Sequence, residues 1–175
     1  HHICPFELAL TLTELADVVM MDLNYVFDPF AQIKRLSQRK AHSALLVDEA
    51  HHTVERVRES LSGSLSSRDL AHMRAAYGKQ FGRKNGLYKA LGEVIKAIRA
   101  IESDQDTLDA IPDGLTLLVQ KALDEAIERA GESGVQEMIR LFLPFLYAAE
   151  HLDEDYAILL ENHGTCIGAK DMFTA

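Results

Sequence analysis

Tryptophan is absent from this chain, cysteine occurs only as Cys4 and Cys166, and proline only four times in 175 residues. Two cysteines near opposite ends make no disulfide framework; they suit a reducing compartment, or one ligand of a larger cluster. No stretch reaches the roughly 18 uninterrupted apolar residues of a membrane-spanning helix, and the opening residues do not read as a signal peptide. The expectation is therefore a soluble, cytoplasmic protein with no membrane partner. Basic residues are in the minority, with 18 Lys and Arg against 27 Asp and Glu, a net charge of −9 and a pI near 5.3. This excludes a surface that is basic throughout, so contact with a polyanion must use a local patch. Repeats and low-complexity tracts are also missing. What the chain does have is apolar material, 47% of its residues, enough for the core of one domain or one and a half.

The densest signal lies at Asp48-Glu49-Ala50-His51, which closes the apolar run Ala44-Leu45-Leu46-Val47. Ser43 to Val47 is short and follows the polar stretch Arg39-Lys40-Ala41-His42, as expected for a parallel strand buried on both faces. Val54, Val57, Arg58 and Leu61 then continue at helical spacing, so the acidic pair falls at a strand-to-helix corner. Open α/β sheets bind ligands beyond the carboxyl ends of their strands, and two carboxylates there suit magnesium and an attacking water. Asp and Glu are also favourable in any first helical turn, so these four letters alone leave both readings open.

Elsewhere the chain reads as helices with a little strand. Phe6 to Leu15 carries helically spaced apolar residues, Asp17-Val18-Val19-Met20-Met21 is a strand-length apolar run, and Phe30, Ile33 and Leu36 mark one helix face. Two strands alone are not a stable open sheet, so further strands are expected from another segment. The serine-rich stretch Ser60 to Ser67 marks a boundary, with Ser67 expected as an N-cap. Beyond it lie stripes at Arg68 to Phe81, Leu87 to Ile101, Leu115 to Ile127 and Val135 to His151, the last expected to kink at Pro144. These stripes read as core. Tyr156 to Leu160 and Thr165 to Gly168 return to strand.

Four motifs now stand in one order: Cys4-Pro5-Phe6, Ala16-Asp17-Val18-Val19, Asn24-Tyr25-Val26-Phe27-Asp28-Pro29 and Leu46-Val47-Asp48-Glu49-Ala50-His51. Their order and approximate spacing resemble the XPD/DinG-like iron-sulfur DNA helicases of superfamily 2, in particular the XPD-like branch. The specific resemblance covers residue 3 to about residue 65. It implies a mostly α fold with a small α/β part, namely a partial parallel sheet of a RecA-like motor domain with an inserted helical arch domain. The implied divisions are 1–15 for the end of an iron-sulfur domain, 16–65 for part of motor domain 1, 66–152 for the arch and 153–175 for a return segment.

The resemblance also implies roles. Cys4 corresponds to one of four cysteine ligands of a [4Fe-4S] cluster, whose other three would precede residue 1; without the resemblance it reads as a small buried hydrophobe. Asp48 would hold Mg²⁺, directly or through water, Glu49 would orient and deprotonate the attacking water, and His51 would link the nucleotide site to the DNA-handling side. His52 departs from the Asn common at this position in relatives. The phosphate-binding glycine loop and an arginine finger are absent from the chain. The expectation is a fragment, inactive alone, of a helicase that couples hydrolysis of ATP with Mg²⁺ to 5′ to 3′ translocation on single-stranded DNA and duplex unwinding.

The expected partners are single-stranded DNA and the rest of the helicase chain. Lys34, Arg35, Arg39 and Lys40 form one basic group and Lys79, Arg83, Lys84 and Lys89 a second, with Tyr25, Tyr77 or Tyr88 available for stacking. Both groups also read as ordinary solvated helix surface. The alternative function is a single-stranded DNA or partner-binding arch module of a helicase-related protein without ATPase activity. A stand-alone helical enzyme using His163 or Cys166 lacks any organised constellation.

Overall fold

The computed structural model describes residues 4–33, 43–101, 107–153, 156–161 and 164–169, arranged in two compact units, His1–Val57 and Arg58–Ala175.

In the first unit, helix α1 (Pro5–Thr13) starts at Pro5, whose missing N–H costs nothing in a first turn, and carries Glu7 near its positive end. The Asn24-to-Pro29 motif folds around two aspartates. The Asp22 carboxylate accepts from the Asn24 N–H at 2.9 Å as helix α2 (Asn24–Phe27) begins, and the Asp28 carboxylate accepts from the Phe30 N–H at 2.8 Å after it ends. The Ile33 N–H then donates back to the Tyr25 carbonyl at 3.0 Å and closes the knot. Short polar side chains that bond their neighbours' backbone are what make such turns. The rest of the expected helix, including Leu36, lies outside the described residues.

Two expected strands are not formed among the described residues. Asp17 to Met21 and Ser43 to Val47 adopt neither helix nor strand, and Met20 and Leu46 are 97% and 94% exposed. An apolar run states what a segment would gain from burial; it does not supply the hydrogen-bonded neighbour that makes a strand. No parallel pair forms among the described residues. After Val47 the chain turns through Asp48 and Glu49 into a 3-10 turn, Ala50–His52, and helix α3 (Thr53–Ser60).

The second unit carries the core. Its elements are β1 (Gly63–Ser66), α4 (Ser67–Phe81), α5 (Gly86–Arg99), β2 (Thr107–Leu108), α6 (Leu115–Ile127), α7 (Val135–Glu150), β3 (Tyr156–Glu161) and β4 (Gly164–Ala169). The four strands form one antiparallel sheet in the order β1-β4-β3-β2, with Gly63 opposite Ile167, Ile158 opposite Ile167 and Leu108 opposite Ile158. The serine-rich stretch read as a boundary thus contains an edge strand, and the tail strand β4 pairs with it. In Gly63–Ser66 the alternation is too short to read from sequence: Gly63 and Leu65 are buried, while Ser64 is exposed.

The helical stripes fall where their spacing predicts. Leu87, Leu91, Val94, Ile95 and Ile98 of α5 are buried, as are Val119, Ala122, Leu123 and Ala126 of α6 and Met138, Phe142 and Phe145 of α7. Each large side chain so buried contributes about 1.5–3 kcal/mol relative to exposure. Ile127, counted in the α6 stripe, is exposed at the helix end. The helix α7 continues through Pro144 to Glu150. The cap of α4 is Ser66 rather than Ser67: its hydroxyl accepts from the Asp69 N–H at 3.2 Å, while Ser67 is buried inside the first turn. No described helix is long and apolar enough to cross a membrane.

Candidate active site

The corner at Asp48 is built from short-range bonds. The Asp48 carboxylate accepts from the N–H of Glu49 at 3.0 Å, and the Glu49 carbonyl accepts from the His52 N–H at 3.0 Å, which winds the 3-10 turn. Between them Glu49 takes φ 51° and ψ 43°, the left-handed region; among the described residues it alone does so without being glycine. That conformation costs a side-chain-bearing residue about 1–3 kcal/mol and is concentrated at functional sites.

The side chains gather at the same place. The Glu49 carboxylate lies 3.3 Å from His51 Nδ1, the rings of His51 and His52 are 3.9 Å apart, and His52 Nδ1 lies 4.0 Å from a Glu55 carboxylate oxygen. Ligating atoms of Glu49, His51 and His52 fall within 4.8 Å of one another. Imidazole nitrogen suits zinc-like metals, whereas Mg²⁺ takes oxygen ligands and retains waters. The exposed Asp48 carboxylate, beside Glu49, has the donor chemistry Mg²⁺ requires. Asp48 would hold the ion and Glu49, steadied by His51, would be left to manage a proton.

The other expected residues are dispersed. Cys4 is an exposed free thiol at the N-terminal boundary of α1, not a buried hydrophobe. A [4Fe-4S] cluster needs four thiolates, and the side chain of Cys166 lies outside the description. Tyr25 is partly exposed within α2. Lys34, Arg35, Arg39 and Lys40 lie outside the described residues. Arg83 and Lys84 are exposed in the α4–α5 turn.

Two of the proposed stacking rings are not open. Tyr77 is 3% exposed, with its hydroxyl donating to Glu132 at 2.6 Å. Burial, reinforced by that carboxylate, pushes its pKa up from 10.0 to about 12. Tyr88 is half-buried beneath the Arg74 guanidinium, 3.9 Å from its ring centroid. An open ring beside them is Phe81, 37% exposed at the end of α4 and 4.9 Å from the Tyr77 ring. Its place between Tyr77 and a basic turn was the available signal.

Residues 1–70 match the model of the DEAD_2 family, a span that contains Cys4, the Asx-turn knot and the whole Asp48 corner. The likeness is thus to a DEAD_2 segment, over two fifths of this chain. The segment's relatives include the regulator of telomere elongation helicase 1 homolog of Culex quinquefasciatus, 38% identical over 68 residues, or 39% of this chain and 7% of that protein. The regulator of telomere elongation helicase 1 of Homo sapiens is 32% identical over 77 residues, 41% of this chain and 6% of its own length. The rat protein of that name is 34% identical over 77 residues, again 41% of this chain and 6% of its length. The chain therefore spans less than a tenth of the curated relatives it matches. No solved structure matches the chain.

Proposed function

We propose that this chain is a section of the first motor domain of an ATP-dependent DNA helicase, with part of a helical arch inserted in it. The observation that carries the reading is the Asp48-Glu49 corner inside the DEAD_2 segment, where the Glu49 backbone is left-handed and its carboxylate meets His51. Asp48 would hold Mg²⁺, and the ion, when bound, would supply charge neutralisation for phosphoryl transfer. Glu49 accepts the proton of the attacking water, and His51 orients the Glu49 carboxylate. The segments Asp17 to Met21 and Ser43 to Val47 take their place in a parallel sheet with strands from elsewhere in the protein, which covers the apolar side chains now exposed. Residues 66–152 belong to the arch, Cys4 serves one [4Fe-4S] cluster, and the motor moves 5′ to 3′ along single-stranded DNA in the cytoplasm. The phosphate loop is supplied from outside this chain, so the isolated chain does not hydrolyse ATP.

Glu49→Gln in the intact protein tests this. General-base removal costs about 10²–10⁴ in rate, so ATP turnover falls by that factor while ATP and DNA binding persist. Unchanged turnover rejects the assignment.

A further inference from the structure

We propose that Glu49, His51 and His52 form a binding site for a divalent cation of the zinc class, and that its occupancy switches the hydrolytic corner off. The site itself rests on geometry and donor chemistry, whereas the switching rests on the reading of Glu49 as the general base.

Three donors at positions i, i+2 and i+3 do not ordinarily meet. In a regular α-helix, residues two apart do not face each other, which would separate Glu49 from His51. The left-handed backbone of Glu49 and the 3-10 turn Ala50–His52 replace that geometry. The Glu49 carboxylate therefore lies 3.3 Å from His51 Nδ1, the two imidazole rings are 3.9 Å apart with planes tilted by 44°, and donor atoms of all three residues fall within 4.8 Å of one another. Among the described residues, no other three His, Cys, Asp or Glu side chains bring their donors so close. Zinc bonds nitrogen and carboxylate oxygen at about 2.0–2.2 Å, so its tetrahedral ligands stand about 3.3–3.6 Å apart. The Glu49–His51 edge already has that length. All three side chains are exposed, so rotation closes the remaining gap at little cost.

The donor set selects the ion. Two imidazole nitrogens and one carboxylate oxygen make a three-ligand zinc site, with the fourth position left to water. Mg²⁺ is served by oxygen, as Asp48 offers it, and has little use for imidazole. The Asp48 carboxylate, bonded to the Glu49 N–H, and the Glu55 carboxylate, 4.0 Å from His52 Nδ1, add negative charge beside the cation. The same carboxylates would repel an anion. With zinc bound, Glu49 gives its lone pair to the metal and cannot take a proton from water, and His51 no longer orients it. Turnover then stops while Asp48 stays free for Mg²⁺.

The test titrates ZnCl₂ into the intact protein against a chromophoric zinc chelator and reads ATP turnover at saturating Mg²⁺ in parallel. His51→Gln and His52→Gln should each weaken one zinc site by more than about 10-fold, since losing merely the outer-shell support of a ligand costs about 10- to 100-fold in affinity. Without zinc, His52→Gln turns over ATP like the parent. With zinc, the parent loses turnover and His52→Gln keeps it. Zinc held by Cys4, or by His1 and His2, would bind His52→Gln as tightly as the parent, and that result overturns the site. Inhibition by zinc that is equal in parent and His52→Gln overturns the switch. Loss of turnover in Glu49→Gln together with zinc binding indifferent to His52 removes this site and leaves the helicase reading standing. Zinc binding that depends on His52, in a protein whose turnover Glu49→Gln leaves unchanged, keeps the cation site and rejects the hydrolytic reading.

Discussion

The hydroxyl of Tyr77, in α4, donates to the carboxylate of Glu132, in the loop between α6 and α7, at 2.6 Å. The pair ties the first helix of the second unit to a loop 55 residues on. A hydrogen bond to a charged group is worth about 1.5–3 kcal/mol, so Tyr77→Phe lowers stability by an amount in that range, read as a lower denaturant midpoint with unchanged slope. The pH dependence has a definite sign. Because the folded pKa is raised, from 10.0 to about 12, the stabilisation is complete below pH 10 and is lost as pH climbs through 12. Tyr77→Phe therefore flattens alkaline unfolding between those values. A residual slope remains, since burial also raises Tyr156.

Gly63 tests the contact between β1 and α7. A Cβ built on Gly63 would lie 2.3 Å from the Phe145 Cα and 2.6 Å from the Pro144 carbonyl carbon. Backbone atoms within a helix cannot swing aside as a side-chain tip can. Gly63→Ala should cost about 2–3 kcal/mol, at the upper end of overpacking, measured as a drop in Tm. A Tm equal to that of the parent would mean that β1 does not lie on α7.

Cys4 gives a chemical test of the other end of the DEAD_2 segment. Its thiol is exposed at the start of α1, the state required of a thiolate that reaches a cluster. In the intact protein Cys4→Ser should lower iron content and bleach cluster absorbance, while iron that stays stoichiometric would remove Cys4 from the ligand set.

Where the sequence was legible, periodicity was the reason. Leu87 through Ile98 and Val119 through Ala126 repeat often enough for one face to be certain, and both faces are buried. Ser43 to Val47 was legible only as apolar. Pairing depends on residues distant in sequence, and the described residues offer this segment no partner strand. Gly63–Ser66 failed oppositely: its serines suggest a boundary, and only the partner strand at Gly164–Ala169 makes it β. At the corner, the adjacent carboxylates of Asp48 and Glu49 were readable from residue type. The left-handed backbone of Glu49 was not, because nothing in the side chain of glutamate favours it.

That backbone separates two contributions of Glu49. Glu49→Gln keeps the strained conformation and removes the base, whereas Glu49→Gly removes the base and also releases the strain. Left-handed residues other than glycine cost about 1–2 kcal/mol, and glycine returns about 0.5–1 kcal/mol of that in chain entropy. The Gly variant should thus be more stable than the Gln variant by about 0.5–1 kcal/mol, in chemical denaturation of this chain, while in the intact protein both lose turnover about equally. If the Gly variant is instead the less stable, the side-chain contact with His51 holds the corner more strongly than strain opposes it. If only the Gly variant loses turnover, the rigid path of the backbone through Glu49, rather than its carboxylate, is what hydrolysis requires.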